Sequence, residues 1–185
     1  SLLSDIACWI QVFADLLGPP RVGVRLCSVN QPMCPRFHVD RVMARLILTY
    51  HGPGTEWLDS CDVDRRYLGQ PASHVSDEES GLIRNPSAIQ KMQSFSVGIL
   101  KGEAWPGNVG RGAVHRSPMR TPTQRLSGER RVLLTLDGRR NEQDTHRARK
   151  SVSAERKRIT LLPSSRSLLL SLSSTKKICA TGPNT

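Results

Sequence analysis

The sequence predicts a mainly β domain: a small barrel with one amphipathic helix in front of it and a disordered tail behind. Three observations carry this. Short alternating or β-branched apolar stretches recur between residues 22 and 136, separated by turns rich in Gly and Pro. The clearest run with helical spacing opens the chain. Beyond residue 138 apolar periodicity stops and charge or Leu/Ser bias takes over. The domain is therefore bounded at 1–138 and the tail at 139–185.

Leu2, Leu3, Ile6, Trp9, Ile10, Phe13, Leu16 and Leu17 fall on one helical face, leaving Asp5, Gln11 and Asp15 for water. Gly18-Pro19-Pro20 ends that helix, since Gly accepts the terminal left-handed turn and Pro cannot continue it. Trp9 and Phe13 are expected in the core. Val22, Val24 and Leu26 alternate with Gly23, Arg25 and Cys27 as in a strand. Residues 37–40 form a short alternating segment, and Arg45 to Tyr50 reads as a buried strand that turns at His51-Gly52-Pro53-Gly54. A polar excursion follows from Asp59 to Asn85, then a short helix over residues 86–93. Strands are expected at 95–100, 113–116 and 130–136, with loops at 106–112 and 118–128.

The formal charge of +11 is unevenly placed. Residues 139–185 hold 11 basic and 3 acidic groups, leaving 16 and 13 for the domain. A nucleic-acid partner inferred from net charge would therefore belong to the tail, and runs of this kind are usually only solvated. The five cysteines include no Cys-x-x-Cys pair, which argues against a thiolate zinc site and a disulfide framework and favours a reducing, cytoplasmic compartment. The chain starts at Ser1 rather than Met, so an earlier segment is compatible with it. Neither a signal peptide nor a run of about 18 apolar residues is present, and no membrane span is expected.

The chemistry-bearing residues centre on His38-Val39-Asp40. On a strand, residues i and i+2 share a face, so an imidazole and a carboxylate point into the same space. Two ligands do not close a metal site, and His115, on another expected strand, is the best third. Two His and one carboxylate on one side of an ion leave its other positions open, the arrangement of non-haem Fe(II) oxygenases. The competing reading is a barrel that binds no metal and in which these side chains hydrogen-bond to one another. Cys34 is set aside, because i and i+4 on a strand stand about 13 Å apart. Gly107 to Gly112 lacks the Lys-Ser/Thr end of a phosphate loop.

His38-x-Asp40, the apolar strand ending at Tyr50, the Gly52-Pro-Gly-Thr55 turn, and Val114-His115-Arg116 followed by Gly128-Glu129-Arg130-Arg131 together resemble the metal site of iron- and 2-oxoglutarate-dependent dioxygenases. The resemblance implies a double-stranded β-helix, a jelly-roll or cupin-like barrel. It also implies a basic anchor for the far carboxylate of 2-oxoglutarate. Arg130 matches that role by position and Arg131 is the neighbouring choice; strand alternation admits only one of them to the interior. Tyr50 is a further candidate for holding the carboxylate. A more specific resemblance, over about residues 5–137, is to a bacterial family of unknown function. Its hallmarks appear here as Cys34-Pro-Arg-Phe-His-Val-Asp40, Gly52-Pro-Gly-Thr-Glu-Trp-Leu58, Lys101-Gly-Glu-Ala-Trp-Pro-Gly107 and Val114-His-Arg-Ser-Pro118.

The leading expectation is thus an Fe(II)/2-oxoglutarate-dependent oxygenase acting on a small molecule or another substrate that the sequence does not specify. A non-catalytic metal-binding or sensing domain with Fe(II), Zn(II) or another divalent ion is second, and nucleic-acid binding through the tail is third.

Overall fold

The computed structural model describes residues 1–69 and 75–139; the expectation for the tail lies outside them. Helix α1 (Leu2–Leu17) forms as its periodicity predicts. The Ser1 hydroxyl accepts from the Ser4 amide, and the helix ends on Gly18 in the left-handed conformation. Among the described residues seven strands follow: β1 (Arg21–Val29), β2 (Ala44–His51), β3 (Glu56–Leu58), β4 (Gln90–Lys91), β5 (Val97–Lys101), β6 (Val114–Arg116) and β7 (Arg131–Arg139). A short helix, α2 (Pro122–Leu126), lies in the stretch read as a loop. Residues 86–93, expected as a helix, instead give one 3-10 turn (Pro86–Ala88) and then β4, because pairing with β3 captures the backbone.

The strands form two antiparallel sheets, of order β1-β7-β2-β5 and β4-β3-β6. An isolated antiparallel bridge between His38 and His115 sets residue 38 alongside β6. A closed barrel, as the sequence suggested, is not found among the described residues. Closure needs a continuous ladder around the perimeter, and β3, β4 and β6 have only three, two and three residues. No helix among the described residues is long and apolar enough to cross a membrane.

The two apolar clusters lie on the outer faces of the sheets, while Ile47 and Leu133 are buried on the inner face of the larger one. Ile6 and Phe13 of α1 pack on Leu46, Leu48, Leu134 and Leu136, all on one face of the larger sheet. Leu58 and Val114 of the smaller sheet pack with Phe37 under Val63, Leu82 and Ile83 of the long excursion. Alternation then turns Arg45, Thr49, Arg131 and Asp137 of the larger sheet, and Trp57 and His115 of the smaller, toward the space between the sheets.

Candidate metal centre

Sheets that face one another normally bury apolar side chains between them; here polar and charged side chains share that layer with Ile47 and Leu133. The layer holds the three expected ligands. His38, Asp40 and His115 each offer a donor atom, and these atoms all lie within 4.8 Å of one another. His38 Nε2 is 3.9 Å from Asp40 Oδ1, and His115 Nε2 is 3.4 Å from Asp40 Oδ2. The two imidazole rings are 4.5 Å apart, tilted by 49°.

The backbone fixes the state of both rings. Nδ1 of His38 lies 3.0 Å from the Arg36 carbonyl, and Nδ1 of His115 lies 3.0 Å from the Ala113 carbonyl. A carbonyl only accepts, so each Nδ1 carries a proton, and in the neutral ring each Nε2 is left to present a lone pair. Burial lowers the His38 pKa below the usual imidazole value, although its bond to the Arg36 carbonyl acts the other way. Burial alone would raise the Asp40 carboxyl. The Arg45 guanidinium, and a bond from the His115 ring when its Nε2 is protonated, outweigh that effect and lower the Asp40 carboxyl below the usual carboxylate range. Its Oδ2 is buried and accepts no hydrogen bond. Three lone-pair donors therefore face one small space. A proton on one imidazole would relieve one contact, whereas a single cation satisfies all three, so the donor set fits a divalent ion.

Several hallmark residues act by placing these ligands. The Ser117 amide donates to the Cys34 carbonyl, and the Cys34 amide to the Ser117 hydroxyl, which extends the His38–His115 bridge. Asp40 sits outside any strand, and its carbonyl accepts from the Glu103 amide at 2.8 Å. Glu103 in turn accepts from the amides of Gly110 and Gly112 and ties down the Gly-rich loop. Gly102 touches the ligand segment so closely that a Cβ there would stand 1.9 Å from the Val42 carbonyl oxygen and 2.8 Å from that of Asp40. We expect Gly102→Ala to cost about 1–3 kcal/mol of stability, as overpacking does, and to weaken metal binding by displacing Asp40. Urea midpoints and metal titration check this, and an unchanged midpoint would show that the loop gives way freely.

The remaining candidates separate. Arg131 turns inward and is 7% exposed. Its Nη2 donates to the Thr49 and Thr55 hydroxyls, at 3.1 and 2.8 Å. Its Nε has no hydrogen-bond partner, and burial lowers its pKa to about 10. Arg130, the choice by position, turns outward and donates to the Ser28 hydroxyl and carbonyl. Tyr50 lies on the helix face with Leu46 and Leu48 and donates to Asp5 at 2.5 Å, so it does not face the ligands. Two residues that the sequence did not single out also meet the site. Arg45 bonds Asp40, and Trp57 stands directly across the β3–β6 ladder from His115. Only the alternation of β2 and β3 hinted at either.

The family model described as "Protein of unknown function (DUF1826)" covers residues 1–137. No curated protein and no solved structure matches the chain.

Proposed function

The chain belongs to the DUF1826 family, whose function is unknown, and on that footing we propose that it is a metal-dependent oxygenase that uses Fe(II) and 2-oxoglutarate. The observation that carries this reading is the convergence of His38, Asp40 and His115 on one space, with both Nε2 lone pairs and Asp40 Oδ2 turned into it.

Strand pairing supports the double-stranded β-helix that goes with this reading. With the residue-38 segment counted between β1 and β2, there are eight extended segments in chain order. The first pairs with the eighth (β1–β7), the second with the seventh (His38–β6), the third with the sixth (β2–β5) and the fourth with the fifth (β3–β4). The eighth also pairs with the third and the seventh with the fourth. A long antiparallel ladder wound on itself into a jelly roll has this pattern.

Arg131 supports the cosubstrate. An inward arginine with an unsatisfied Nε and no carboxylate partner among the described residues suits a bidentate organic acid. It is bonded to Thr55, two residues from Trp57 and therefore about 7 Å along the strand from the level of His115. A ferrous ion at the triad would supply oxygen activation for oxidising a C–H bond. His38, Asp40 and His115 hold that ion, Arg131 fixes the far carboxylate of 2-oxoglutarate, and Trp57 walls the ligand side of the interior.

The test is calorimetry without oxygen, adding Fe(II) or Mn(II) and then 2-oxoglutarate. Wild type should bind both. Arg131→Met should weaken 2-oxoglutarate by about ten- to a hundredfold, the roughly 1.5–3 kcal/mol of charge-assisted bonds, and leave the metal in place. Arg130→Met should change neither. Metal binding without 2-oxoglutarate binding at millimolar concentration would remove the oxygenase reading and leave a metal-binding or sensing domain.

A further inference from the structure

Asp40 has two carboxylate oxygens, and they have different surroundings. Arg45 Nη1 donates to Oδ1 at 2.9 Å. The same nitrogen is 2.9 Å from Oδ2, but not in a hydrogen-bonding direction, and Oδ2 remains without a donor. Arg45 is itself held by a second carboxylate: its Nε and Nη2 donate to the two oxygens of Asp137, at 2.6 and 3.1 Å. Arg45 and Asp137 are directly opposed across the β2–β7 ladder, on the two central strands of the larger sheet. Asp40 lies in an irregular segment and has no strand of its own to orient it.

We propose that Arg45, clamped by Asp137, is a positioning residue that occupies Asp40 Oδ1 and so restricts Asp40 to a single-oxygen metal ligand, keeping one more coordination position open for exchangeable ligands. The proposal rests on the metal reading of the triad. The planar fork suits this task. One edge of the fork, Nε and Nη2, lies on Asp137, which leaves Nη1 fixed in direction, and a fixed donor blocks the rotation that would bring both Asp40 oxygens onto one ion. On a six-coordinate ion, three single-atom ligands leave three positions, and a chelating Asp40 would leave two.

Water-proton relaxation by bound Mn(II) reports those positions, and overall stability does not move it. At saturating Mn(II), Arg45→Met should lower the relaxivity per bound ion by about a third, because three exchangeable sites become two. Asp137→Asn, which keeps Arg45 but loosens its clamp, should give a smaller fall in the same direction. It serves as the readout if Arg45→Met does not fold. Lowered relaxivity in both variants, with the ion still displaced by a His115→Ala change, supports the clamp. Unchanged relaxivity with the ion bound, or a folded Arg45→Met protein that binds no Mn(II), overturns it. Failure of wild type to bind Mn(II) at all would instead defeat the metal reading on which the clamp rests.

Discussion

Replacing Arg116 with alanine is expected to destabilise the domain by about 3–5 kcal/mol, the usual cost of removing one partner from a buried ionic group. Arg116 is 5% exposed. Its Nε lies 2.8 Å from Glu56, its Nη1 lies 2.8 Å from Glu78 and 3.8 Å from Asp77, and its guanidinium covers the Phe37 ring at 4.3 Å. Truncation strands Glu56, 3% exposed, with Lys91 as a partial replacement, whereas Asp77, 5% exposed, keeps Arg36 and the Phe37 amide. Against a typical total of about 5–15 kcal/mol, such a loss leaves the fold marginal. Urea unfolding should show a lower midpoint at unchanged slope, and a loss below about 1 kcal/mol would mean that the network is redundant. Acid should reveal the same contact. Burial tends to raise the Glu78 carboxyl, but Arg116 outweighs this and holds it below its ordinary 4.5. Glu78 therefore stabilises the native state above that value, and the contribution disappears as pH falls through the lower folded value. The variant should lack that part of the acid slope.

His115→Ala should have an equally large effect on a different quantity. An ion at a hundred times its Kd stabilises a protein by about 2.7 kcal/mol, a rise of roughly 8–14 °C in Tm for a domain of this size. Wild type should show such a rise when Mn(II) replaces EDTA, and His115→Ala should show none. The two remaining ligands stand two residues apart on one segment and cannot surround an ion. His115 and Arg116 are adjacent on β6 but face opposite sides of the sheet, so the two predictions separate. Loss of Arg116 should be read in urea without metal, and loss of His115 only with it. A His115→Ala protein that kept the metal-induced rise would remove the triad as the site.

The parts legible in the sequence are those written in local periodicity. The helical spacing from Leu2 to Leu17 and the Gly18 stop both hold; His38 and Asp40 do converge, but Asp40 lies outside any strand, so i and i+2 alternation is not what brings them together. His115 was reachable because an ion needs a third ligand. The choice between Arg130 and Arg131 could not be read. Alternation says that one is inside, but only the register of β7 against β2, with Leu133 opposite Thr49, says which. Helix α2 was a missed signal rather than an absent one, since Thr121-Pro-Thr-Gln124 is a capping box with Pro at the first turn. Residues 86–93 misled for a different reason. Their helical appearance was overridden by β3, whose backbone took Gln90 and Lys91 into a ladder. The bond between Arg45 and Asp137 spans 92 residues, and no local pattern encodes it. Gly102 stood out only as part of the Lys101–Gly107 motif; the close approach it allows against Asp40 is not visible in the sequence.

The ladder has a consequence for how the protein is made. Strand β7 is central in its sheet, between β1 and β2, yet it is the last strand of the described chain. Helix α1 needs it too, because half of the helix's docking face is Leu134 and Leu136. On a ribosome adding about 5–20 residues per second, β1 and α1 would wait roughly 5–20 s for their partner. During that time Leu46 and Leu48 of β2 would lack Leu134 and Leu136, the part of their cluster that β7 supplies. Contacts this distant in sequence are also slow to form once available, on millisecond to second scales. The order of synthesis thus opposes the order of assembly, and the nascent N-terminal half is the form of this protein most exposed to aggregation and most in need of a holding chaperone.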